Sequence, residues 1–229
     1  LPPVLDTEII RNNKEKLDEE GLAQGIFERM YNMFPEDNKH RLTIQYRMHP
    51  TIGTLISHVF YNDEIQNGVE AQDRELCIEG YEGIAIEWIS TSKYSIKERY
   101  EKEFDNNGKK SYQNYLERNI IERKLLELDS KLVKRTKVAV ITGYGSQKYI
   151  LQTMVKQHSF KHIEVDVDTV DAFQGSQKDI ILYSTVRSSG NKYGIGFLKS
   201  EARINVAFSR ARCCIIQVGR MIQLIDLEF

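Results

Sequence analysis

Apolar residues recur at the three- and four-residue spacing of an amphipathic helix in five stretches of the chain. Thr51 is expected to cap the second of these helices, and Asn114 with Glu117 to form a capping box at the third. The predicted helices cover residues 20–34, the apolar positions from 52 to 60, residues 114–132, a stretch that includes Ile150 to Val155, and Glu201 to Arg210.

Between the helices lie short runs of apolar residues that predict β-strands. Because several of these runs are apolar almost throughout, they favour a parallel sheet covered on both faces by helices. We therefore predict an α/β fold in a single domain over residues 1–229. The predicted strands are Leu42 to Tyr46, Gly83 to Ile89, Lys137 to Thr142, Ile163 to Val167, Asp179 to Val186 and Cys213 to Val218.

Residues 90–113 differ from the rest in composition, since lysine, glutamate and tyrosine dominate and an Asn-Asn-Gly turn occurs there. This composition predicts a polar surface excursion and is compatible with disorder. It is either a partner-binding loop or a solvated linker, and a linker is favoured.

Ligands of open parallel sheets bind beyond the carboxyl ends of the strands. Arg47, Tyr144, Asp171 and Gln174 each follow a predicted strand. We expect all four to share one edge of the sheet.

Composition sets limits on partners. The chain has 229 residues and a formal net charge of −1, so any nucleic-acid contact must come from a local patch. Its three cysteines show no metal-binding spacing and fit a reducing, intracellular setting. The sequence lacks an apolar run long enough to predict a membrane span. Its first residue is Leu1 rather than methionine, which suggests a fragment of something longer.

Two arginines stand in settings that suit a phosphate ligand. Arg47 follows a predicted strand, where its guanidinium can fork two hydrogen bonds to phosphate oxygens, and Tyr46 beside it offers a ring for stacking a base. Arg210 ends a helix that also carries Arg203, two turns earlier on the same side. The simpler alternatives are a surface arginine beside a half-buried tyrosine, and a helix with solvated arginines.

Three other positions could contact phosphate or ribose. Gly175 allows close approach of a ligand to the backbone, Gln177 can hydrogen-bond a ribose hydroxyl, and Thr169 can donate to a phosphate. The segment from Ile141 to Gln147, which contains Thr142 and Tyr144, could contact a nucleic-acid backbone. Taken alone, each segment could equally be a structural turn. The phosphate-cradling Gly-x-x-x-x-Gly-Lys-Ser/Thr loop does not occur in the sequence.

Several segments, in order along the chain, resemble the motifs of superfamily 1 helicases of the nonsense-mediated-decay and senataxin type. Gln45 to Pro50 resembles the family's Gln-Tyr-Arg-Met-His-Pro stretch, and Val170 to Ile181 and Arg203 to Arg212 resemble motifs V and VI. Further similarities lie in Leu1 to Val4, resembling the tail of motif III, in Ser111 to Glu117, and in Ile141 to Gln147.

The resemblance implies the second, C-terminal RecA-like lobe of an ATP-driven 5′→3′ translocase on single-stranded DNA or RNA. It implies that Arg47 and Arg210 contact the γ-phosphate of ATP, and that Tyr46, Gly175 and Gln177 contribute to nucleotide binding. Thr142, Tyr144 and Thr169 would then line the nucleic-acid channel. The phosphate loop and most Mg²⁺ ligands would come from an N-terminal lobe of the same protein.

This sequence departs from the family at Gln177, where a glutamate is usual, at Gly143, where a proline is usual, and at Ser209, where a threonine is usual. The alternative function is a non-catalytic RecA-like docking module within a larger nucleic-acid-processing or defence protein.

Overall fold

The computed structural model describes residues 26–106, 109–188 and 200–220. Contacts divide the chain into two compact units, residues 1–42 and 43–229. The similarity of Leu1 to Val4 to motif III and the first part of the helix predicted over 20–34 lie outside the described residues. In the first unit, helix α1 (Ile26–Met33) is followed by a 3-10 turn (Glu36–Asn38).

The second unit is built around a five-stranded sheet in which each neighbouring pair is parallel. Its strands are β3 (Ile86–Ser90), β6 (Thr136–Thr142), β7 (Ile163–Thr169), β8 (Lys178–Ser184) and β9 (Ala211–Gly219). The strand order is β3-β9-β8-β6-β7. Short pairs β1 (Ile44–Gln45) with β2 (Gln66–Asn67), and β4 (Lys102–Asn106) with β5 (Lys109–Gln113), lie outside this sheet.

Helices cover both faces of the sheet. The helices of this unit are α2 (Pro50–Phe60), α3 (Ile96–Arg99), α4 (Tyr115–Lys131), α5 (Gly145–Val155) and α6 (Glu201–Phe208). Apolar residues of α4 and α5 pack on one face, and those of α2 and α6 on the other. The alternation of strand residues separates the two cores, because Val138 and Val140 face α4 while Ala139 and Ile141 face α2. The predicted three-layer, RecA-like α/β fold is confirmed.

The connection from β7 to β8 contains no helix. Residues 170–177 leave the carboxyl end of β7, pass over β6 and reach the amino end of β8. Val170 and Phe173 are buried on the α2 side and fasten this crossover to the sheet.

The polar segment predicted over residues 90–113 contains regular elements in its described residues. After β3 comes helix α3, begun by a capping box between Ser95 and Glu98, and then the antiparallel pair β4–β5. Three contacts fix this region: Arg187 Nε lies 2.9 Å from Glu101 Oε1, Gln113 Nε2 donates to Ser146 O, and Asn114 Nδ2 donates to Arg99 O. The strands β4 and β5 thus form a hairpin, and polar contacts hold it against the rest of the unit.

Two predicted helix starts are wrong in detail. The cap of α2 is His49 rather than Thr51, because the His49 Nδ1 accepts a hydrogen bond from the Thr51 N–H at 3.2 Å. At α4 the Asn114 side chain does accept from Glu117 N–H, but Asn114 N–H donates to Gln147 Oε1. The Glu117 carboxylate is therefore not part of a capping box, and it lies in a buried network described below.

Candidate functional site

Ser209 brings Arg47 and Arg210 together. Arg47 Nη1 donates to the Ser209 carbonyl at 3.0 Å, and Arg210 Nη2 donates to the Ser209 hydroxyl at 3.2 Å. A second bond, from Arg210 Nε to the Val206 carbonyl at 3.0 Å, holds Arg210 against the end of α6. Two arginines separated by most of the sequence thus lie side by side, as the sequence predicts.

These two guanidinium groups lack a charge partner in the part of the chain that the structure describes, where neither forms an ion pair with a carboxylate. Burial lowers the pKa of Arg210, and the neighbouring charge of Arg47 lowers it further. Both effects disfavour the charged form in the protein as it stands. Such a pair is suited to an anionic ligand that supplies the missing negative charge.

Hydrogen bonds fix the turn that carries Arg47. Gln45 Oε1 accepts from the N–H groups of Arg47 and Met48 at 2.9 and 2.7 Å, while its Nε2 donates to the Met48 carbonyl and Asn67. Gly53 leaves room for this side chain, since a Cβ there would lie 2.7 Å from Gln45 Nε2. On the carbonyl side, the guanidinium of Arg74 donates to Tyr46 O and Arg47 O.

Tyr46 presents its ring to solvent, with 64% of the residue exposed. The ring lies against Gly68, where an added Cβ would come within 2.4 Å of Tyr46 Cε1. A flat aromatic surface packed on backbone and open to solvent suits stacking of a base.

Gly175 and Gln177 approach the same edge of the sheet. The Lys178 N–H, next to Gln177, donates to the Arg210 carbonyl at 3.1 Å. Gly175 has a φ of +88°, and a Cβ there would meet nothing within 4 Å. Its backbone conformation therefore accounts for the glycine.

The expectation that Arg47 shares an edge with Tyr144 and Asp171 is wrong. Arg47 contacts Ser209, which precedes the amino end of β9, whereas Tyr144 and Asp171 follow the carboxyl ends of β6 and β7. The error arises because β1, the strand before Arg47, lies outside the central sheet. Gln174 lies between the two edges, within the crossover from β7 to β8.

Thr142, Tyr144 and Thr169 come together at the carboxyl edge. Thr142 and Thr169 are partners in the β6–β7 ladder, and the Tyr144 N–H lies 3.4 Å from the Thr142 hydroxyl. Thr142 is fully buried, so it presents no surface for the predicted contact with a nucleic-acid backbone. Its hydroxyl accepts a hydrogen bond from the Tyr144 N–H instead. Tyr144 and Thr169 are partly exposed.

Arg203 does not join Arg210, although both were expected on one side of a helix. Helix α6 ends at Phe208, before Arg210. Arg203 lies near the amino-terminal end of this helix, and its Nε pairs with Asp171 Oδ1 at 3.0 Å. The contact links α6 to the end of β7.

A buried polar network lies near the carboxyl end of β8 and was not predicted from the sequence. Glu117 is fully buried and accepts hydrogen bonds from the Ser184 hydroxyl at 2.7 Å, the Thr185 hydroxyl at 3.1 Å and the Val186 N–H at 2.8 Å. Val186 has a φ of +68°, which is rare for a β-branched residue. Burial raises the pKa of Glu117 to about 7, against the lowering effect of these hydrogen bonds.

Metal-binding clusters and membrane-spanning helices are both absent from residues 26–106, 109–188 and 200–220. Those ranges contain no group of three or more His, Cys, Asp and Glu side chains that could hold a metal ion. Of the helices in the same ranges, none has the length and apolar character needed to cross a membrane.

A family model described as an AAA domain matches residues 22–222. The chain belongs to the AAA domain family. Its curated relatives include the Drosophila melanogaster "Regulator of nonsense transcripts 1 homolog", 36% identical over 205 residues, which cover 87% of this chain and 16% of that protein. The Saccharomyces cerevisiae "ATP-dependent helicase NAM7" is 34% identical and covers 90% of this chain and 21% of that protein.

A third relative of this AAA domain is the Mus musculus "5'-3' DNA helicase ZGRF1", 30% identical over 96% of this chain and 11% of that protein. The resemblance to superfamily 1 helicases of the nonsense-mediated-decay type is thereby confirmed, and the chain belongs to the same family as these relatives. It spans less than a quarter of the length of these relatives.

Solved helicase structures are also similar to this AAA domain. The C-terminal domain of a possible DNA helicase from Lactobacillus plantarum covers 77% of this chain and 88% of that chain, with a TM-score of 0.44 and 11% identity. The helicase of PRRSV covers 82% of this chain and 25% of that chain, with a TM-score of 0.37 and 15% identity.

Proposed function

We propose that this domain is the C-terminal motor lobe of an ATP-dependent 5′→3′ translocase on single-stranded nucleic acid. The observation that carries the proposal is the meeting of Arg47 and Arg210 on Ser209 without a carboxylate partner among the described residues. The names of two relatives, an ATP-dependent helicase and a 5′–3′ DNA helicase, support the same class of activity.

In this proposal the amino edge of the sheet binds the nucleotide. The triphosphate supplies the negative charge that the two guanidinium groups lack, and the exposed ring of Tyr46 stacks on the adenine. Gln177 is next to the bond that joins Lys178 to Arg210. We assign it to the ribose, and Gly175 precedes it. In this proposal these residues contact the base, the sugar and the γ-phosphate of one ATP molecule.

Arg47 and Arg210 stabilise the charge that develops on the γ-phosphoryl group as water attacks it and the bond to ADP breaks. An arginine in this role contributes roughly 10³ to 10⁵ in rate. Magnesium bound to ATP neutralises phosphate charge, and we assign its protein ligands and the phosphate loop to an N-terminal lobe.

The carboxyl edge, with Tyr144 and Thr169, forms one wall of the nucleic-acid channel in this proposal. Tyr144 packs edge-on against Tyr112 of the hairpin, with ring centroids 5.3 Å apart. The two proposed sites thus lie at opposite ends of the strands, and the crossover from β7 to β8 connects them.

The test is nucleic-acid-stimulated ATP hydrolysis by the longer protein that contains both proposed lobes. We expect Arg210→Ala and Arg47→Ala each to lower kcat about 10³-fold. Arg118→Ala is the control, because Arg118 pairs with Glu122 on α4, which packs on the other face of the sheet. Equal hydrolysis by the wild type and Arg210→Ala would refute the role assigned to Arg210. No hydrolysis by the wild type would refute the motor and favour the docking module.

A further inference from the structure

Arg74 has an unusual set of partners for an arginine, since all three of its nitrogens donate to backbone carbonyls. Nε donates to Arg47 O, Nη2 to Tyr46 O and Nη1 to Asp73 O, each at 2.9 Å. Among the described residues it forms no ion pair. Its charge therefore adds to the positive potential around Arg47.

The backbone beneath Arg74 is itself fixed. Arg74 ends a 3-10 turn (Ala71–Asp73) in which Glu70 and Asp73 form a reciprocal capping box. The Arg74 N–H donates to Ala71 O at 2.9 Å. The guanidinium thus extends from a rigid turn toward the Arg47 backbone.

Arg74 and Gln45 act on opposite sides of the turn that carries Arg47. Gln45 accepts from the N–H groups of Arg47 and Met48, and Arg74 donates to the carbonyls of Tyr46 and Arg47. With both sides bonded, the peptide groups around Arg47 have little freedom to rotate. A rotation there would swing the Arg47 side chain away from Ser209, and a displacement of about 1 Å can lower a catalysed rate roughly 10²-fold.

We propose that Arg74 is a positioning residue that holds the Arg47 backbone in the conformation needed to reach the γ-phosphate. The inference rests on the function proposed above. A lysine at position 74 would keep the charge but offer one ammonium in place of a planar fork with three spaced donors. The geometry of the fork, and not the charge alone, is therefore what the role requires.

The experiment measures kcat and KM for ATP in the longer protein, with nucleic acid present. We expect Arg74→Ala to lower kcat about 10- to 100-fold, because Arg47 loses its placement. KM for ATP is expected to change less than about threefold, because the Tyr46 ring still packs against Gly68. Arg74→Lys is expected to lower kcat about 10-fold, and Arg118→Ala to behave as wild type. Thermal melting of each variant checks that the fold is retained.

A double variant separates positioning from a general structural effect. If Arg74 acts through Arg47, Arg74→Ala introduced beside Arg47→Ala changes kcat less than about twofold. A full further loss in the double variant, or wild-type kcat in either single Arg74 variant, overturns the inference. Wild-type kcat in Arg47→Ala overturns the proposed function instead, so the two failures are distinguishable.

Discussion

The arginine cluster at the amino edge and the glutamate network at the carboxyl edge treat charge in opposite ways. Arg47, Arg74 and Arg210 bond to carbonyl and hydroxyl oxygens and form no ion pair with a carboxylate in the described ranges. Glu117 is fully buried and its carboxylate accepts four hydrogen bonds of 2.7–3.4 Å.

From this difference we infer that the glutamate network helps to specify the fold and that the arginine cluster is available to a ligand. A buried carboxylate with every donor in place fixes the ends of α4 and β8 relative to each other, and its removal leaves those donors unpaired. Like charges without carboxylate partners repel one another, and an anion that binds to them stabilises the folded state. Each prediction below tests this contrast.

The largest effect on stability is expected at Glu117. We expect Glu117→Ala to lower the free energy of unfolding by about 3–5 kcal/mol, because two hydroxyls and the Val186 N–H lose their acceptor in a buried site. Urea unfolding followed by circular dichroism measures the change. A loss below about 1 kcal/mol would mean that the network does not hold this edge together.

Glu117 is also expected to make stability depend on pH. Because its pKa is raised from 4.5 to about 7 in the folded protein, the folded state binds the proton more tightly than the unfolded state does. Its contribution to stability is therefore complete below about pH 4.5 and is lost as the pH rises through 7, a change on the order of 3 kcal/mol.

Comparison with Glu117→Gln isolates that pH dependence, since an amide does not titrate. The difference in melting temperature between wild type and Glu117→Gln should shrink from pH 5 to pH 8. A difference that stays constant over this range would show that Glu117 titrates outside it.

A smaller effect is expected where the nucleotide base is proposed to stack. In Gly68→Ala the new Cβ would overlap the ring of Tyr46 and push it from its position. We expect KM for ATP to rise about fivefold, equivalent to roughly 1 kcal/mol, with kcat unchanged. Tyr46→Phe, which keeps the ring, serves as the control and should retain the wild-type KM.

The smallest effect should come from removing charge at the amino edge. Arg210→Met keeps much of the length of the side chain but removes a charge that burial and Arg47 disfavour. We expect the free energy of unfolding to change by less than about 1 kcal/mol, in either direction. A loss as large as that of Glu117→Ala would show that Arg210 belongs to the folding framework after all.

Much of the fold was predictable because its strands are short apolar runs separated by helices with clear periodicity. The pairing of Arg47 with Arg210 was predictable only through motif resemblance, since nothing local connects residues so far apart. Arg74 escaped prediction because its role depends on a contact with a turn 27 residues away. At Glu117 the local pattern predicts a capping box, but the carboxylate instead accepts hydrogen bonds from residues at the end of β8.

The short crossover from β7 to β8 has a mechanical consequence. Descending a strand of six or seven residues requires roughly 20 Å at about 3.3 Å per residue, and a chain of eight residues reaches at most about 26–29 Å. With Phe173 also fastened to the sheet, the segment has little slack. Thr169 at one end and Gln177 at the other therefore cannot move far apart. A large displacement of either residue along the strand direction must displace the other.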